Sequence, residues 1–217
     1  VTKVPKSKEE TITVLLSEIR SGNHFFYHKV GDESAQAMDE SMKLFTKNNG
    51  TKGAPCDVKI GKVVAALFND GSGPAWYRAK ILERRDKGRV LALFLDHGNI
   101  SVVPVATHLR PLDADLSLER IPAVAKEAQL ALTLTRRLDD DEGINAARML
   151  QSLAWGKELK ARLHAPVDGK MAVTLLVDGE EKSINEQLVG AGVALAAKQP
   201  AVDELLNLTV ADENNLS

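Results

Sequence analysis

Aromatic residues are scarce in this chain: five Phe, two Tyr and two Trp make up 4% of 217 residues. Cysteine is scarcer still. Cys56 stands alone, which excludes an internal disulfide and any multi-cysteine zinc site, and a reducing compartment is the simplest setting. Long apolar runs are missing as well. The longest clean one, Val63–Phe68, is too short to span a bilayer, so no membrane partner is expected. No basic-then-apolar segment opens the chain, and secretion is not indicated. Val1 stands where a Met would open a full-length protein, so a longer parent protein is expected. What remains is a globular composition, 44% hydrophobic and 27% charged, with a net charge of −2.

The few aromatics are unevenly placed. Phe25, Phe26 and Tyr27 are consecutive, and Phe68, Trp76, Tyr77 and Phe94 fall within one short stretch. Around them the hydrophobic period changes several times. Residues 1–9 read as a flexible lead-in. Thr11–Ile19 and His24–Val30 read as a hairpin of β-strands turning at Ser21-Gly22-Asn23. Ala35, Met38, Met42 and Phe45 recur at helical spacing from Asp32 to Lys47, and Asn48-Asn49-Gly50 stops that helix. Between 58 and 104 four short strands follow one another, Lys59–Phe68, Ala75–Glu83, Arg89–Asp96 and Asn99–Val103. Four strands in so few residues suggest a small, strongly bent barrel.

Beyond Pro111 the pattern mixes. Glu127–Thr135 reads as one strand, and Glu142–Trp155 as a helix with Ile144, Ala147, Leu150 and Ala154 on its apolar face. Lys157–Leu163 and Met171–Val177 read as strands. Ser183 to Glu186 fits a capping box opening a short helix, and Val202–Thr209 reads as a last helix before an acidic end. A lone hairpin is too small to be stable. The two ends are therefore expected to pack as one unit, with the 58–104 barrel inserted between them. Phe25, Phe26, Tyr27, Phe45 and Trp155 are expected in the core of that outer unit. Phe68 and Phe94 suit barrel core as well as a ligand wall. Trp76, pointing opposite to Tyr77 on its strand, is expected to be structural.

The segment Phe68…Trp76-Tyr77-Arg78-Ala79-Lys80…Phe94-Leu95-Asp96-His97-Gly98-Asn99…Val103-Pro104 resembles a Tudor domain. With its flanks, the chain over roughly residues 10–200 resembles the C-terminal extended Tudor domain of the Tudor-SN (Tudor staphylococcal nuclease) family. The resemblance implies an α+β, mainly β fold: a Tudor SH3-like barrel inserted into a staphylococcal-nuclease-like OB fold. The implied divisions are the lead-in 1–9, a first OB part with linker helix at 10–49, the Tudor barrel at 50–112, a second OB part at 113–199 and an acidic tail at 200–217. It also implies a methylarginine cage made of Phe68, Tyr77, Phe94, His97 and Asn99, with His97 standing where the family usually has Tyr. The loop Asn69–Pro74 looks longer than the family's usual one, which would shift Phe68 relative to Tyr77.

The chemistry of such a set is coherent. Dimethylated arginine keeps its charge, loses N–H donors and gains methyl groups. Aromatic faces attract the delocalised cation at about 0.5–2 kcal/mol per contact, and an Asn99 amide oxygen can accept a remaining N–H. The implied function is a non-catalytic reader of symmetrically dimethylated arginine in Arg/Gly-rich partners, such as Sm-type or Argonaute/Piwi-type proteins. Such a reader would need no cofactor. The family acts in RNA silencing, splicing, transcription coactivation and stress granules, in cytoplasm and nucleus.

The main alternative is an RNA-binding or structural scaffold module with a degenerate cage. Between 61 and 112 eight bases stand against four acids, a net of +4, and Arg84, Arg85, Lys87 and Arg89 form candidate phosphate contacts. Nuclease activity ranks last. It needs an acidic metal site, a glutamate base and paired arginines, and no such set is present. Asp139–Glu142 suits the positive end of the helix that follows better than a metal. His24, His28, His108 and His164 lack ligand spacing, so no metal and no catalytic residue is expected.

Overall fold

The computed structural model describes residues 10–197. In chain order these form β1 (Thr11–Ile19), β2 (His24–Lys29), α1 (Glu33–Asn49), β3 (Val63–Asn69), β4 (Pro74–Arg85), β5 (Arg89–Phe94), β6 (Ile100–Pro104), α2 (Val105–His108) and β7 (Leu109–Arg110). A 3-10 turn (Ala114–Leu116), β8 (Lys126–Leu130), β9 (Thr133–Leu134), α3 (Asp141–Ala154), β10 (Leu159–Val167), β11 (Lys170–Val177), α4 (Ile184–Gly190) and β12 (Leu195–Ala196) follow. The lead-in 1–9, the acidic tail and the helix expected at Val202–Thr209 lie outside the described residues. The chain divides into two compact units: residues 10–30 with 127–197, and residues 31–126.

The first unit is a closed barrel in the order β1-β10-β11-β8-β2, with β11 and β8 parallel and β1 with β2, β1 with β10 and β10 with β11 antiparallel. Val14, Leu16, Phe25, Tyr27, Leu130, Leu159, Val173 and Leu175 fill it, and Leu150 of α3 with Ile184 and Leu188 of α4 close one side. The capping box is present, with Ser183 accepting from Glu186 N and the Glu186 carboxylate accepting from Ser183 N. Buried Asn185 accepts from Leu175 N and donates to the carbonyls of Ala131 and Val173, so its amide is fully used. Asp140 caps α3 by accepting from Glu142 N, the helix-terminal role expected of that acidic run.

Three details of this unit differ from the pattern in the sequence. The expected Glu127–Thr135 strand breaks into β8 and β9 at Leu132, which takes a left-handed φ of 51°. The buried stripe of α3 is Gly143, Ala146, Leu150 and Ala154, not the one running through Ile144 and Ala147. The reason is steric: Gly143 abuts the backbone of Arg136 and Arg137, where a Cβ would lie 1.8 Å from the Arg137 oxygen. Trp155, expected in the core, is 47% exposed, because α3 ends at Ala154 and the next residue leaves the apolar stripe.

The second unit is a five-stranded sheet in the order β6-β5-β4-β3-β7, curled around its own core. Alternation explains its two interiors. Val64 and Ala66 on β3, Ala79 and Ile81 on β4, and Val90, Ala92 and Phe94 on β5 share the inner core. Ala65, Leu67 and Trp76 point the other way and pack on Met38, Met42 and Phe45 of α1. Phe45 thus belongs to this unit and not to the outer core the sequence pattern gave it. Trp76 is structural, as expected: it is fully buried and its indole N–H donates to the Gly50 carbonyl. The Arg110 guanidinium lies 5.4 Å from the Trp76 ring centre and 5.7 Å from that of Phe45.

Arg78 occupies the same outward row as Trp76 and is completely buried. Its five N–H donors are all spent. Nε and Nη2 fork onto the two oxygens of Asp96 at 2.9 and 2.6 Å, Nη1 reaches the carbonyls of Leu116 and Ile121, and Nη2 also reaches that of Pro122. Asp96 in turn accepts from Val124 N. Removing one partner of such a buried pair leaves an uncompensated charge, a cost of about 3–5 kcal/mol. A lysine cannot reproduce the planar fork. Urea unfolding of Arg78→Lys is expected to show a loss of about 3 kcal/mol or more for residues 31–126; a midpoint equal to wild type would contradict this role.

Candidate functional site

The expected cage residues come together at one end of the curled sheet. Phe68 is the last inward position of β3, and Phe94 the last of β5. Tyr77 lies between them on β4, because β3 and β4 pair Ala66 with Tyr77 and β4 and β5 pair Ala79 with Phe94. Ring centres of Phe68 and Phe94 are 5.0 Å apart, and Tyr77 stands 6.3 Å from each, edge-on. The His97 ring lies 5.2 Å from Tyr77 at an interplanar angle of 78°. These are distances at which aromatic groups make favourable edge-to-face contacts.

The turn that carries His97 and Asn99 is held from two sides. Leu95 N donates to the Arg78 carbonyl, while the Arg78 side chain grips Asp96. Gly98 N donates to the Phe94 carbonyl and Phe94 N to that of Asn99. Gly98 takes φ 94°, a conformation that L side chains rarely adopt. Adjacent residues thereby divide their roles: Asp96 turns to the buried ion pair, and His97 turns to Tyr77 at the exposed mouth.

The members differ in access. Phe68, Tyr77 and Asn99 are half-buried and His97 is exposed, whereas Phe94 is 1% exposed and belongs to the inner core. Phe94 is therefore the floor beneath the open rings. The loop between β3 and β4 adds a residue that the sequence pattern did not single out. Asp70 Oδ2 accepts from the Tyr77 hydroxyl at 3.1 Å. Burial, followed by this bond to a carboxylate, pushes the Tyr77 phenol up to about 12. The hydrogen bonds from Ser72 and Tyr77 hold Asp70 at about 2, so the rim carries a negative charge throughout the neutral range. Its placement was signalled only by the Asn-Asp-Gly-Ser-Gly run, which announces a turn and not a contact.

The basic residues fare differently. Arg84, Arg85, Lys87 and Arg89 are all exposed at the β4–β5 hairpin, with Lys87 in the turn at φ 58°. Arg84 donates to the Val58 carbonyl, Arg85 pairs with Glu83, and Arg89 donates to the Asp86 carbonyl. Arg78 and Arg110, counted in the +4 balance, do not belong to a surface patch: Arg78 is buried on Asp96, and Arg110 binds the carbonyls of Asn49 and Lys52 beside Trp76. Among the described residues no group of three or more His, Cys, Asp or Glu is placed to hold a metal ion, and no helix is long and apolar enough to cross a membrane. Cys56 is half-buried, its thiol pushed up chiefly by burial.

A curled five-stranded sheet with an aromatic mouth, encoded between β2 and β8 of an OB-like barrel, defines an extended Tudor domain: a Tudor SH3-like barrel with a staphylococcal-nuclease-like part. The family model described as Tudor domain matches residues 6–132, more than half of the chain, and the chain belongs to that family. It is similar to "Ribonuclease TUDOR 2" of Arabidopsis thaliana, 26% identical over 91% of this chain and 21% of that protein. It is also similar to the human "Tudor and KH domain-containing protein", 29% identical over 86% of this chain and 34% of that protein. The chain thus spans about a fifth to a third of the length of these relatives.

Among solved structures, the extended Tudor domain of Drosophila melanogaster Tudor-SN (p100) superposes with a TM-score of 0.74, at 24% identity over 95% of this chain and 94% of that one. Domain TD3 of mouse TDRD1, in complex with a MILI peptide containing dimethylarginine, superposes with a TM-score of 0.75, at 22% identity over 90% of this chain and 98% of that one. The extended Tudor domain from BmPAPI in complex with sDMA gives 0.70, at 25% identity over 87% and 100%.

The floor and the walls separate by mutation. Phe94→Ala should destabilise residues 31–126 by about 3 kcal/mol or more, as for a buried Phe elsewhere, while Tyr77→Phe should shift the urea midpoint far less. Equal effects of the two substitutions would show that Phe94 is not the buried floor.

Proposed function

We propose that this chain is a non-catalytic reader module that binds dimethylated arginine, the symmetric form first, in Arg/Gly-rich segments of partner proteins. The observation that carries this reading is the convergence of Phe68, Tyr77 and His97 over the buried Phe94 floor, with Asn99 on the same turn. Ring faces take the methylated cation, and the Asn99 amide oxygen takes one remaining N–H. The complexes named for mouse TDRD1 and BmPAPI support the same ligand class here. The parent protein would be a Tudor-SN type regulator of RNA metabolism, working in the cytoplasm and also in the nucleus.

The exposed hairpin supports a second reading, an RNA contact through Arg84, Arg85, Lys87 and Arg89. Between 61 and 112 six exposed bases remain against three exposed acids once Arg78, Arg110 and Asp96 are taken out. The two readings respond differently to salt and to methylation. Phosphate binding falls steeply as salt rises, while cage binding depends on the methyl groups.

Matched peptides with and without symmetric dimethylation, titrated against wild type and Tyr77→Ala, test the reader. Methylation should strengthen wild-type binding, and Tyr77→Ala should weaken it about 2- to 30-fold, the equivalent of one lost wall at about 0.5–2 kcal/mol. Wild-type binding that ignores methylation would end this reading. The same titration at about pH 7.5 and about pH 5.5 tests His97, since a protonated imidazole in the wall would repel the ligand cation. Affinity should fall at the lower pH, and the fall should vanish in His97→Phe; equal affinities at both values would remove His97 from the cage.

A further inference from the structure

Asp70 is a charged side chain bonded directly to a wall of the aromatic mouth, and the loop around it is built to hold it there. Asn69 Oδ1 accepts from Gly71 N and Gly73 N. Asp70 Oδ1 accepts from Ser72 N at 3.0 Å and from the Ser72 hydroxyl at 2.6 Å. That leaves Oδ2 for the Tyr77 hydroxyl. One carboxylate oxygen is thus tied to the loop and the other to the wall, and its orientation is fixed at both ends. Gly71 and Gly73 take φ 105° and 122°, so the two nested Asx turns require glycine at these steps.

The charge so held is exposed. It therefore acts through solvent, over about one Debye length of roughly 8–10 Å at moderate salt. Nearby, Asp39 of α1 also adds negative potential at Tyr77, although it pairs with Lys43 at 2.6 Å. The basic hairpin is remote. Arg84 stands seven positions along β4 from Tyr77, at most about 23 Å at about 3.3 Å per residue, near the opposite end of the strand. The sheet is therefore polarised along β4, acidic at the aromatic mouth and basic at the far turn.

We propose that Asp70 is a specificity-determining residue of the cage, selecting a methylarginine set among further cations over the same residue in neutral or acidic surroundings. This rests on the methylarginine reading above. A methylated guanidinium keeps its charge, so Asp70 attracts both it and the cations that flank it, and repels flanking carboxylates. One unit charge at about 7 Å in water changes affinity about 3-fold.

The test uses the full 217-residue chain as wild type and as Asp70→Asn, which keeps an oxygen for the Ser72 turn and removes the charge. Three peptides carry one symmetrically dimethylated arginine each, flanked by Gly-Arg, Gly-Gln or Gly-Glu, with unmethylated counterparts. At low salt, wild type should rank the flanks Arg above Gln above Glu, about 10-fold between the extremes, and the spread should close at about 300 mM salt as screening sets in. Asp70→Asn should compress the low-salt spread by about 3-fold or more while the preference for methylated over unmethylated peptide persists. An unchanged ranking in Asp70→Asn overturns the proposal and leaves the reader intact. A wild type indifferent to methylation overturns the reader itself. Matching thermal midpoints for the two proteins exclude unfolding as the cause.

Discussion

The aromatic mouth depends on a bidentate ion pair that is itself out of reach of solvent. Arg78 satisfies all five of its donors, and Asp96 accepts both prongs of its fork as well as Val124 N. This one contact joins β4 to the turn after β5 and draws the segment between Leu116 and Val124 onto the sheet. A buried pair of this kind adds little net stability, because desolvating two charges offsets most of their attraction. Its contribution is geometric. With Asp96 fixed on Arg78, Gly98 can turn at φ 94° and His97 faces Tyr77 at the mouth.

Strand alternation then distributes the remaining roles. In Trp76-Tyr77-Arg78 the two outer residues face away from the inner core, one onto α1 and one onto Asp96, and the middle residue faces the mouth. In Asp96-His97-Gly98-Asn99 the first residue anchors, the second faces solvent and the third permits the turn. Each half of the motif thus pairs a buried structural residue with one that faces the aromatic mouth. Substitutions in either half will mix stability and binding unless they are chosen by the side of the strand they occupy.

Much of this was legible in the sequence. β1 has the bounds its β-branched alternation predicted, the capping box at Ser183 formed, and the aromatics at 68, 77 and 94 share a face because hydrophobic period 2 carries through β3, β4 and β5. What was hidden concerns partners. A basic residue in a sequence looks the same whether it meets phosphate or a buried carboxylate, so Arg78 and Arg110 were counted with a surface patch. Trp155 was lost because helix ends are set by local capping, one residue short of where the apolar pattern stops. The α3 stripe was rotated by a close approach at Gly143 that only tertiary packing imposes. Asp70 was invisible because its contact with Tyr77 arises from the loop's fold and not from any spacing.

The central proposal is that Phe68, Tyr77, His97 and Asn99 hold one methylated guanidinium over the Phe94 floor. Amide chemical-shift mapping by NMR, with free symmetric dimethylarginine added to the isotope-labelled chain, tests it most directly. The account predicts saturable shifts at Phe68, Tyr77, His97, Gly98 and Asn99, with Arg84–Arg89 at the other end of β4 undisturbed. Shifts confined to the hairpin, or none at the aromatic mouth, would contradict it.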